Sequence, residues 1–269
     1  RMMYNVQGAP MYVYTGGKEF DANKPTAVFV HGVLNDHSDW ILQTRYFANH
    51  GWNVMAIDLP GHGRSGGKAP TSVQEAAQSV IALLDAAGVD KAVLIGHSFG
   101  SLISMHAAAE QPARVSRLAM VGTAYPMRVT PALLDNSLNH PAKAIDMVTQ
   151  FSHSTMAPPP SALGPGTWVP GGGKALMRRV LASNANENIF NIGFKACDQY
   201  DQGEVAMAKV TCPTLFLLGK KDQMTTPKAA QSLIKLARDG RVAMVNAGHQ
   251  LMVEAPEESL SALIAFCQK

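Results

Sequence analysis

Short apolar runs recur along the whole chain, and each contains hydrophobic residues at consecutive positions. The runs occupy residues 25–32, 52–59, 91–96, 115–122, 214–219 and 241–246. A strand with one face in water alternates apolar and polar residues, whereas a strand buried on both faces is apolar at consecutive positions. The pattern therefore predicts parallel strands in a sheet that is covered by helices on both faces.

Helical patterns separate most of these runs. Residues 71–87 begin with Ser72 and Glu75 in the spacing of a capping box, continue with apolar residues at helical intervals, and are followed by Gly88. Residues 99–110 are rich in alanine and in long apolar side chains. Strands that alternate with helices are typical of an α/β fold, and we predict a doubly wound, mostly parallel sheet.

The alternation stops after the fourth run and resumes only before the fifth. Within this interval, residues 157–173 contain five Pro and five Gly in 17 positions, a composition that predicts a loop. Helix-like stretches lie on either side of it, around residues 131–151 and 174–199. The simplest interpretation is a largely helical insertion between two strands of the sheet.

Length and composition agree with that interpretation. A chain of 269 residues suits two small domains or one large domain with an insertion, because domains typically have about 150 residues. The insertion favours a core at residues 1–123 and 210–269 and a cap at residues 124–209. Charged residues are 16% of the chain against about 25% in an average domain, and hydrophobic residues are 46%, which excludes a disordered chain.

Charge and hydropathy limit the partners. The chain has 23 basic and 20 acidic side chains, a net charge of +3, and no basic stripe with interleaved aromatics, so we expect no nucleic-acid partner. No apolar run approaches the about 18 residues of a membrane span, and no signal-peptide core is present, so we expect no membrane partner. We expect a cytoplasmic monomer or homodimer, although a removed signal peptide would leave the same sequence.

No cofactor or metal motif is present in the sequence. The three cysteines are widely spaced and form no C-x-x-C pair, so neither a disulfide framework nor a zinc site is predicted. Residues 61–66 match G-x-G-x-x-G, but no helix pattern follows them directly, as dinucleotide binding would require. There is no H-E-x-x-H and no phosphate-binding Walker loop. We therefore expect no cofactor and no metal ion.

One sequence motif suggests a catalytic residue, and it lies between a predicted strand and a predicted helix. The sequence Gly96-His97-Ser98-Phe99-Gly100 matches G-x-S-x-G, and it lies between the apolar run 91–96 and the helical pattern that follows. A strand, a sharp turn and a helix are the setting that exposes a nucleophilic serine, and small residues on both sides let the chain make that turn. Ser98 is therefore the candidate nucleophile.

A serine hydroxyl needs a base, and the base needs an acid that orients it. Among nine histidines, His249 follows the last apolar run, which places it at the carboxyl edge of the sheet together with Ser98. Asp222 follows the run 214–219 in the same way, and the order Ser, Asp, His is the one expected on this scaffold. Asp58 follows a strand but belongs to a tight turn, and two further carboxylates fall in the insertion, at Asp198 and Asp201.

Four markers in order resemble one known family. They are His31-Gly32 after the first long run, Asp58-Leu59-Pro60-Gly61-His62-Gly63-Arg64-Ser65, the motif around Ser98, and Gly248-His249 followed by Glu254-Ala255-Pro256-Glu257. Together they are similar to the α/β-hydrolase fold enzymes with a cap domain, and the resemblance covers nearly the whole chain. It implies an oxyanion hole built from the backbone N–H groups of Val33 and Phe99, and a loop-holding role for His31.

The resemblance also limits the types of reaction that we expect. Dehalogenases and epoxide hydrolases of this fold carry Asp where Ser98 stands, and C–C bond hydrolases usually have Trp where Gln250 follows His249. We expect a serine hydrolase that cleaves carboxylic esters of small or medium apolar acyl groups, with a small-molecule ester as its partner. A C–C bond hydrolase, a perhydrolase or an acyltransferase on the same triad stays an alternative, as does a ligand-sensing relative that keeps the triad.

Substrate selectivity is expected from the insertion and from the loops beside the triad. Flexible methionine side chains adapt to irregular shapes, which suits a pocket lining, although each of them could equally pack the cap's own core. The candidate pocket residues are Leu34, Tyr125, Met127, Trp168, Met224 and Gln250.

Overall fold

A computed structural model describes residues 2–156 and 168–268 of the chain. Within these residues, eight strands form one sheet in the order β1-β2-β4-β3-β5-β6-β7-β8. The strands are β1 (Met2–Val6), β2 (Ala9–Tyr14), β3 (Thr26–Val30), β4 (Asn53–Ile57), β5 (Ala92–His97), β6 (Val115–Val121), β7 (Thr214–Gly219) and β8 (Gly240–Val245). Strands β3 to β8 pair in parallel, and β1 and β2 add an antiparallel edge. The predicted doubly wound, mostly parallel sheet is confirmed.

The continuous apolar runs have a simple structural cause. In β3, Val28 and Val30 face one hydrophobic cluster while Ala27 and Phe29 face another on the opposite side of the sheet. Both faces of the strand are therefore shielded from solvent, and every residue of β3, β4, β5 and β7 is buried. The hairpin of β1 and β2 was not predicted, because most of β1 is exposed and so lacks such a run.

The helices flank the sheet and fill the interval after β6. They are α1 (Ile41–Asn49), α2 (Val73–Ala86), α3 (Phe99–Glu110), α4 (Pro131–Asn139), α5 (Pro141–Ser152), α6 (Val169–Ala182), α7 (Ile189–Gln199), α8 (Gly203–Lys209), α9 (Gln231–Ile234), α10 (Leu251–Glu254) and α11 (Pro256–Cys267). In the described part of the chain, none of them combines the length and apolar character that crossing a membrane requires.

Five of these helices, α4 to α8, lie between β6 and β7 in the described residues, and we call them the helical insertion. Helices α4 to α7 share a third hydrophobic cluster, which also includes Leu34 and Ala69 from loops of the sheet. Helix α8 instead packs into the cluster that contains Val28 and Val30. The helix-like stretch predicted around residues 131–151 contains two helices, because Pro141 has no N–H to continue the hydrogen bonding of α4.

The predicted loop at 157–173 is wrong over its last five residues. Residues 157–167 lie outside the described part of the chain, but α6 begins at Val169 and includes the three glycines that follow Pro170. Pro170 is in the first turn, where a helical N–H has no partner to lose. At Gly171 a side chain would collide with the ring of Trp168, so the glycine allows that ring to pack against the helix.

Close backbone contact between β5 and α3 depends on two glycines. A Cβ at Gly96 would overlap the carbonyl group of Gly100, and a Cβ at Gly100 would overlap the carbonyl oxygen of Val30 in β3. Backbone atoms cannot give way as the end of a flexible side chain can. The first turn of α3 therefore lies against the sheet only because these two positions have no side chain.

We expect Gly96→Ala to lower the free energy of unfolding by about 3 kcal/mol, since the added methyl group forces the backbones apart. The matched control is Gly172→Ala in α6, where a Cβ would meet no atom within 4 Å. This control should change stability by no more than about 1 kcal/mol, in the stabilising direction, because alanine favours a helix. Urea denaturation of the two variants measures both effects. Equal stabilities would contradict the role given to Gly96.

Candidate active site

The turn between β5 and α3 holds Ser98 in a strained conformation. Its φ is 55° and its ψ is −116°, a region that residues other than glycine rarely adopt. The N–H of Ser98 donates to Val121 O at 2.9 Å, and the carbonyl oxygen of Ser98 accepts from Ser101 Oγ at 2.5 Å. These bonds stabilise the turn, which puts the Ser98 side chain in the wall of a cavity.

His249 and Asp222 form a buried pair beside this cavity. His249 Nδ1 lies 2.9 Å from Asp222 Oδ2. The other carboxylate oxygen accepts from the backbone N–H groups of Met224, at 2.9 Å, and Thr225, at 2.8 Å. A carboxylate only accepts hydrogen bonds, so Nδ1 carries the hydrogen and Nε2 is left with a lone pair. His249 and Ser98 line the same cavity.

The environment of Asp222 keeps its carboxyl group ionised. Burial raises the pKa of Asp222, but the charge and hydrogen bond of His249, followed by the hydrogen bonds from Thr225, lower it more. The pKa of Asp222 therefore lies below its usual range. An ionised Asp222 can hold His249 in one tautomer and can stabilise a positive charge on the imidazole.

Thr225 is a site residue that the sequence reasoning missed. Its Oγ1 lies 2.9 Å from Asp222 Oδ2, 3.0 Å from His249 Nδ1 and 2.9 Å from the carbonyl oxygen of Gly122. The hydroxyl group thus touches both members of the pair and ties them to the end of β6. A threonine three residues after an aspartate is a signal for such a turn, but the spacing is too common to single out Thr225.

The loop of His249 is held from the side of the helical insertion. The N–H of His249 donates to Ser152 O, at the end of α5, over 2.8 Å. Glu254 accepts from the N–H of Gly248 and from the N–H of Ser154, both at 2.9 Å. Glu254 belongs to the last of the four sequence markers, but no role had been assigned to it. Its carboxylate joins the histidine loop to the chain that follows α5.

His97 supports the same loop through its ring and through one hydrogen bond. The ring lies against the ring of His249, with centroids 4.6 Å apart, and Nε2 donates to the carbonyl oxygen of His249 at 2.8 Å. Burial, together with the nearby charge of His249, lowers the pKa of His97 to about 3. The ring therefore stays neutral at ordinary pH.

The rival candidates are engaged in other contacts. His31 Nε2 accepts from the N–H of Leu59 at 3.0 Å, and His31 Nδ1 donates to Gly32 O at 2.7 Å. Asp58 accepts from His37 Nδ1 at 2.7 Å and from the N–H of Arg64 at 2.9 Å. Both side chains thus hold loops together. His37, Asp58 and Asp36 approach one another closely enough to share a cation, but their hydrogen bonds already account for the arrangement.

The cavity has a volume of about 230 Å³. Val33 lies in its wall next to Gly32. Phe99 follows Ser98 as the first residue of α3, where a backbone N–H has no acceptor one turn earlier in the helix. These are the positions from which the two N–H groups of an oxyanion hole are expected.

Three of the six candidate pocket residues line this cavity, namely Met127, Met224 and Gln250. Leu34 does not, because it is fully buried in the third hydrophobic cluster. Tyr125 does not, because its ring packs on Gly203 and near Tyr200. Trp168 is 51% exposed and lines a different cavity. Further apolar lining comes from the insertion, chiefly from Leu133, Met147, Val148, Phe151, Met177 and Phe194. Met147 and Met177 are among the methionines that the sequence suggested for a pocket lining, and the other four residues were missed.

Comparisons with known proteins agree with this architecture. The chain is 25% identical over 251 residues to (E)-2-((N-methylformamido)methylene)succinate hydrolase of Acinetobacter baylyi, a match that covers 90% of this chain and 89% of that protein. It is 23% identical over 273 residues to 3-oxoadipate enol-lactonase 1 of the same organism, covering 98% and 96%. The crystal structure of the enol-lactonase from Burkholderia xenovorans superposes with a TM-score of 0.83 at 19% identity, over all of both chains.

The model of the alpha/beta hydrolase family matches residues 27–262, which include the turn of Ser98, the Asp222–His249 pair and the helical insertion. Two relatives that align along nearly the whole chain are themselves named as a hydrolase and a lactonase. The chain therefore belongs to the alpha/beta hydrolase family and is a hydrolytic enzyme.

Proposed function

We propose that the enzyme hydrolyses carboxylic esters of small or medium apolar acids through an acyl group carried on Ser98. The observation that supports it most is the strained turn of Ser98 beside a buried His249–Asp222 pair, with Ser98 and His249 in the wall of one cavity. A serine, a histidine and an oriented carboxylate are the groups that acyl transfer to water requires.

The proposed reaction has two halves. Ser98 Oγ attacks the ester carbonyl carbon while His249 Nε2 takes the hydroxyl proton, and the imidazolium then gives that proton to the departing alcohol oxygen. In the second half, water loses a proton to His249 and attacks the acyl carbon, and the proton returns to Ser98 as the acid leaves. Asp222 holds the tautomer throughout.

The N–H groups of Val33 and Phe99 are proposed to stabilise the negative oxygen of each tetrahedral intermediate. Each donor of this kind is typically worth about 3 to 4 kcal/mol to the transition state. Such donors act without rearrangement, because the backbone of the turn is already held by the glycine contacts and by the bonds of Ser98.

The lining of the cavity supports an apolar acyl group. Four helices of the insertion contribute its apolar wall, through Leu133, Met147, Phe151, Met177 and Phe194. We propose that residues 124–209, which include these wall residues, form a cap. The cap covers a core of residues 1–123 and 210–269. A lactone is a cyclic ester, so the name of the enol-lactonase relative agrees with ester cleavage.

Ser98→Ala should abolish turnover of p-nitrophenyl butyrate, with kcat lower by a factor of about 10⁴ or more, because no nucleophile is left. Wild-type enzyme should also release a burst of p-nitrophenolate equal to the enzyme concentration. The control is Ser261→Ala, on the exposed surface of α11, which should behave as wild type. A folded Ser98→Ala enzyme that keeps its turnover would refute the proposal.

Asp222→Asn should lower kcat by a factor of about 10⁴, because the amide no longer selects the tautomer with hydrogen on Nδ1. Asp58→Asn is the matched control, since Asp58 is a buried carboxylate at the end of another strand of the sheet, β4, and pairs with His37 instead. It should reduce stability but leave kcat near the wild-type value. If Asp58→Asn loses more activity than Asp222→Asn, the acid has been assigned to the wrong residue.

Thr225→Val should lower kcat about tenfold with little change in KM, because the Asp222 carboxylate loses a hydrogen bond of the charged kind. Thr225→Ser retains the hydroxyl group and should restore most of the activity. Steady-state kinetics on p-nitrophenyl butyrate compares the two. If Thr225→Val keeps the wild-type activity while Thr225→Ser loses it, Thr225 acts through its methyl group and packing, and not through its hydroxyl group.

A further inference from the structure

The loop that carries Val33 makes a tight turn with an unusual residue at its centre. The N–H of Asn35 donates to Gly32 O at 3.3 Å and closes this turn around Val33 and Leu34. Leu34 has a φ of 58° at the third position of the turn, where a type II turn needs a positive φ and normally has glycine. A bulky side chain disfavours this conformation, so other contacts must offset the strain.

The side chain of Leu34 lies among the helices of the insertion. It is fully buried in the third hydrophobic cluster. Apart from Ala69, all other buried members of that cluster come from α4 to α7. Burial of an apolar side chain is favourable, and moving Leu34 to a relaxed backbone conformation would take it out of this cluster. The insertion therefore stabilises the strained turn.

A second contact joins the same turn to the insertion at Gly193. This residue is buried in the middle of α7, where glycine makes a helix less stable than alanine does. A Cβ at Gly193 would lie 3.1 Å from Val33 Cγ1 and 3.2 Å from Val33 Cγ2. Carbon atoms in contact are usually about 3.5 to 4.0 Å apart. Only glycine therefore lets α7 pack on the Val33 side chain without pushing it.

The turn of Val33 also contacts the turn of Ser98. A Cβ at Gly32 would lie 3.4 Å from Ser98 Cβ and 3.4 Å from His97 Nδ1. The loop is thus in contact with the proposed nucleophile through Gly32 and with α7 through Val33. The position of the Val33 backbone relative to Ser98 therefore depends on where the insertion holds the loop.

We propose that Leu34 and Gly193 are positioning residues, through which the helical insertion holds the Val33 N–H where it can donate to the tetrahedral oxygen. The proposal rests on the proposed ester hydrolysis and extends it, because the insertion then completes the oxyanion hole as well as lining the pocket. A donor to this oxygen acts mainly in the transition state. Its displacement should therefore lower kcat and leave KM nearly unchanged.

Gly193→Ala should lower kcat on p-nitrophenyl butyrate about tenfold with little change in KM, because the new methyl group pushes Val33. In a Val33→Ala background, which lacks the two methyl groups that it would meet, Gly193→Ala should change kcat by no more than about twofold. A general effect of alanine on α7 would not depend on Val33. Gly172→Ala, which meets no atom within 4 Å, is the matched control and should keep wild-type kinetics.

Leu34→Gly should also lower kcat about tenfold, because glycine adopts the positive φ freely but has no side chain to fix the loop to the insertion. Leu34→Met keeps a long apolar side chain and should retain most of the activity. Leu176→Ala is the control, since Leu176 is buried in the same cluster but lines a cavity other than that of Ser98. It should lower stability and leave kcat near the wild-type value.

An inhibitor separates this role from the proposed reaction. Ser98 Oγ can add to the carbonyl carbon of butyl trifluoromethyl ketone, with its proton passing to His249, and the carbonyl oxygen then becomes an oxyanion without any bond to a leaving group. Fluorine NMR detects the adduct, which should be absent in Ser98→Ala. Gly193→Ala and Leu34→Gly should raise the inhibition constant or, without turnover, the dissociation constant about tenfold.

The outcomes distinguish the two proposals. If the wild-type enzyme forms the adduct but cleaves no ester, ester hydrolysis fails, and the affinities for the ketone still test Leu34 and Gly193. Wild-type kcat and ketone affinity in both variants would mean that the turn is held without the insertion. A higher KM with unchanged kcat and ketone affinity would mean that these residues only shape the pocket. If Leu34→Gly does not fold, Gly193→Ala with and without Val33→Ala decides.

Discussion

The approach of α3 to the sheet without intervening side chains is the constraint on which the site depends. Only glycine at 96 and 100 allows the first turn of this helix to lie against the backbones of β3 and β5. The chain must then reverse within one residue, and Ser98 takes the positive φ that this requires, at a cost of about 1 to 3 kcal/mol. The hydrophobic core is packed on both faces of the sheet and holds the turn in place. This packing offsets the cost of the strained conformation of Ser98.

The second half of the site depends on the insertion as much as on the sheet. Asp222 and Thr225 are placed by the end of β7, but the backbone of His249 hydrogen-bonds to the last residue of α5. Glu254 bonds both the loop of His249 and Ser154, which follows α5. A movement of α5 would therefore act directly on the histidine loop. Hydrogen bonds therefore join α5, which contributes to the wall of the pocket, to the loop of the proposed base.

The sequence predicted those parts that depend on local pattern. Strands β3 to β8 were found because each contains apolar residues at consecutive positions, and the Ser98 turn was found because glycines flank it between a strand and a helix. The prediction of burial on both faces is wrong for β8, which lies at the edge of the sheet and is buried only at Val245. The site partners that were missed act over long distances along the chain. Ser154 and Glu254 are separated by 100 residues, and no local pattern links them. The start of α6 was missed because a stretch rich in glycine and proline predicts a loop. The three glycines hid the fact that a proline is also common in the first turn of a helix.

Gln250 links the sequence pattern to the arrangement of the two cavities. It was noted in the sequence only because a different residue type usually follows the histidine in C–C bond hydrolases. In the structure its side chain lies between an apolar cavity and one bordered by Asp39, Ser152 and His153, and its buried Oε1 has no partner among the described residues. An aromatic ring there would be mostly apolar, whereas the amide adds a polar group to the wall of both cavities. The contrast between the two cavities therefore depends on the polarity of the layer that divides them, and that layer includes the residue next to the proposed base.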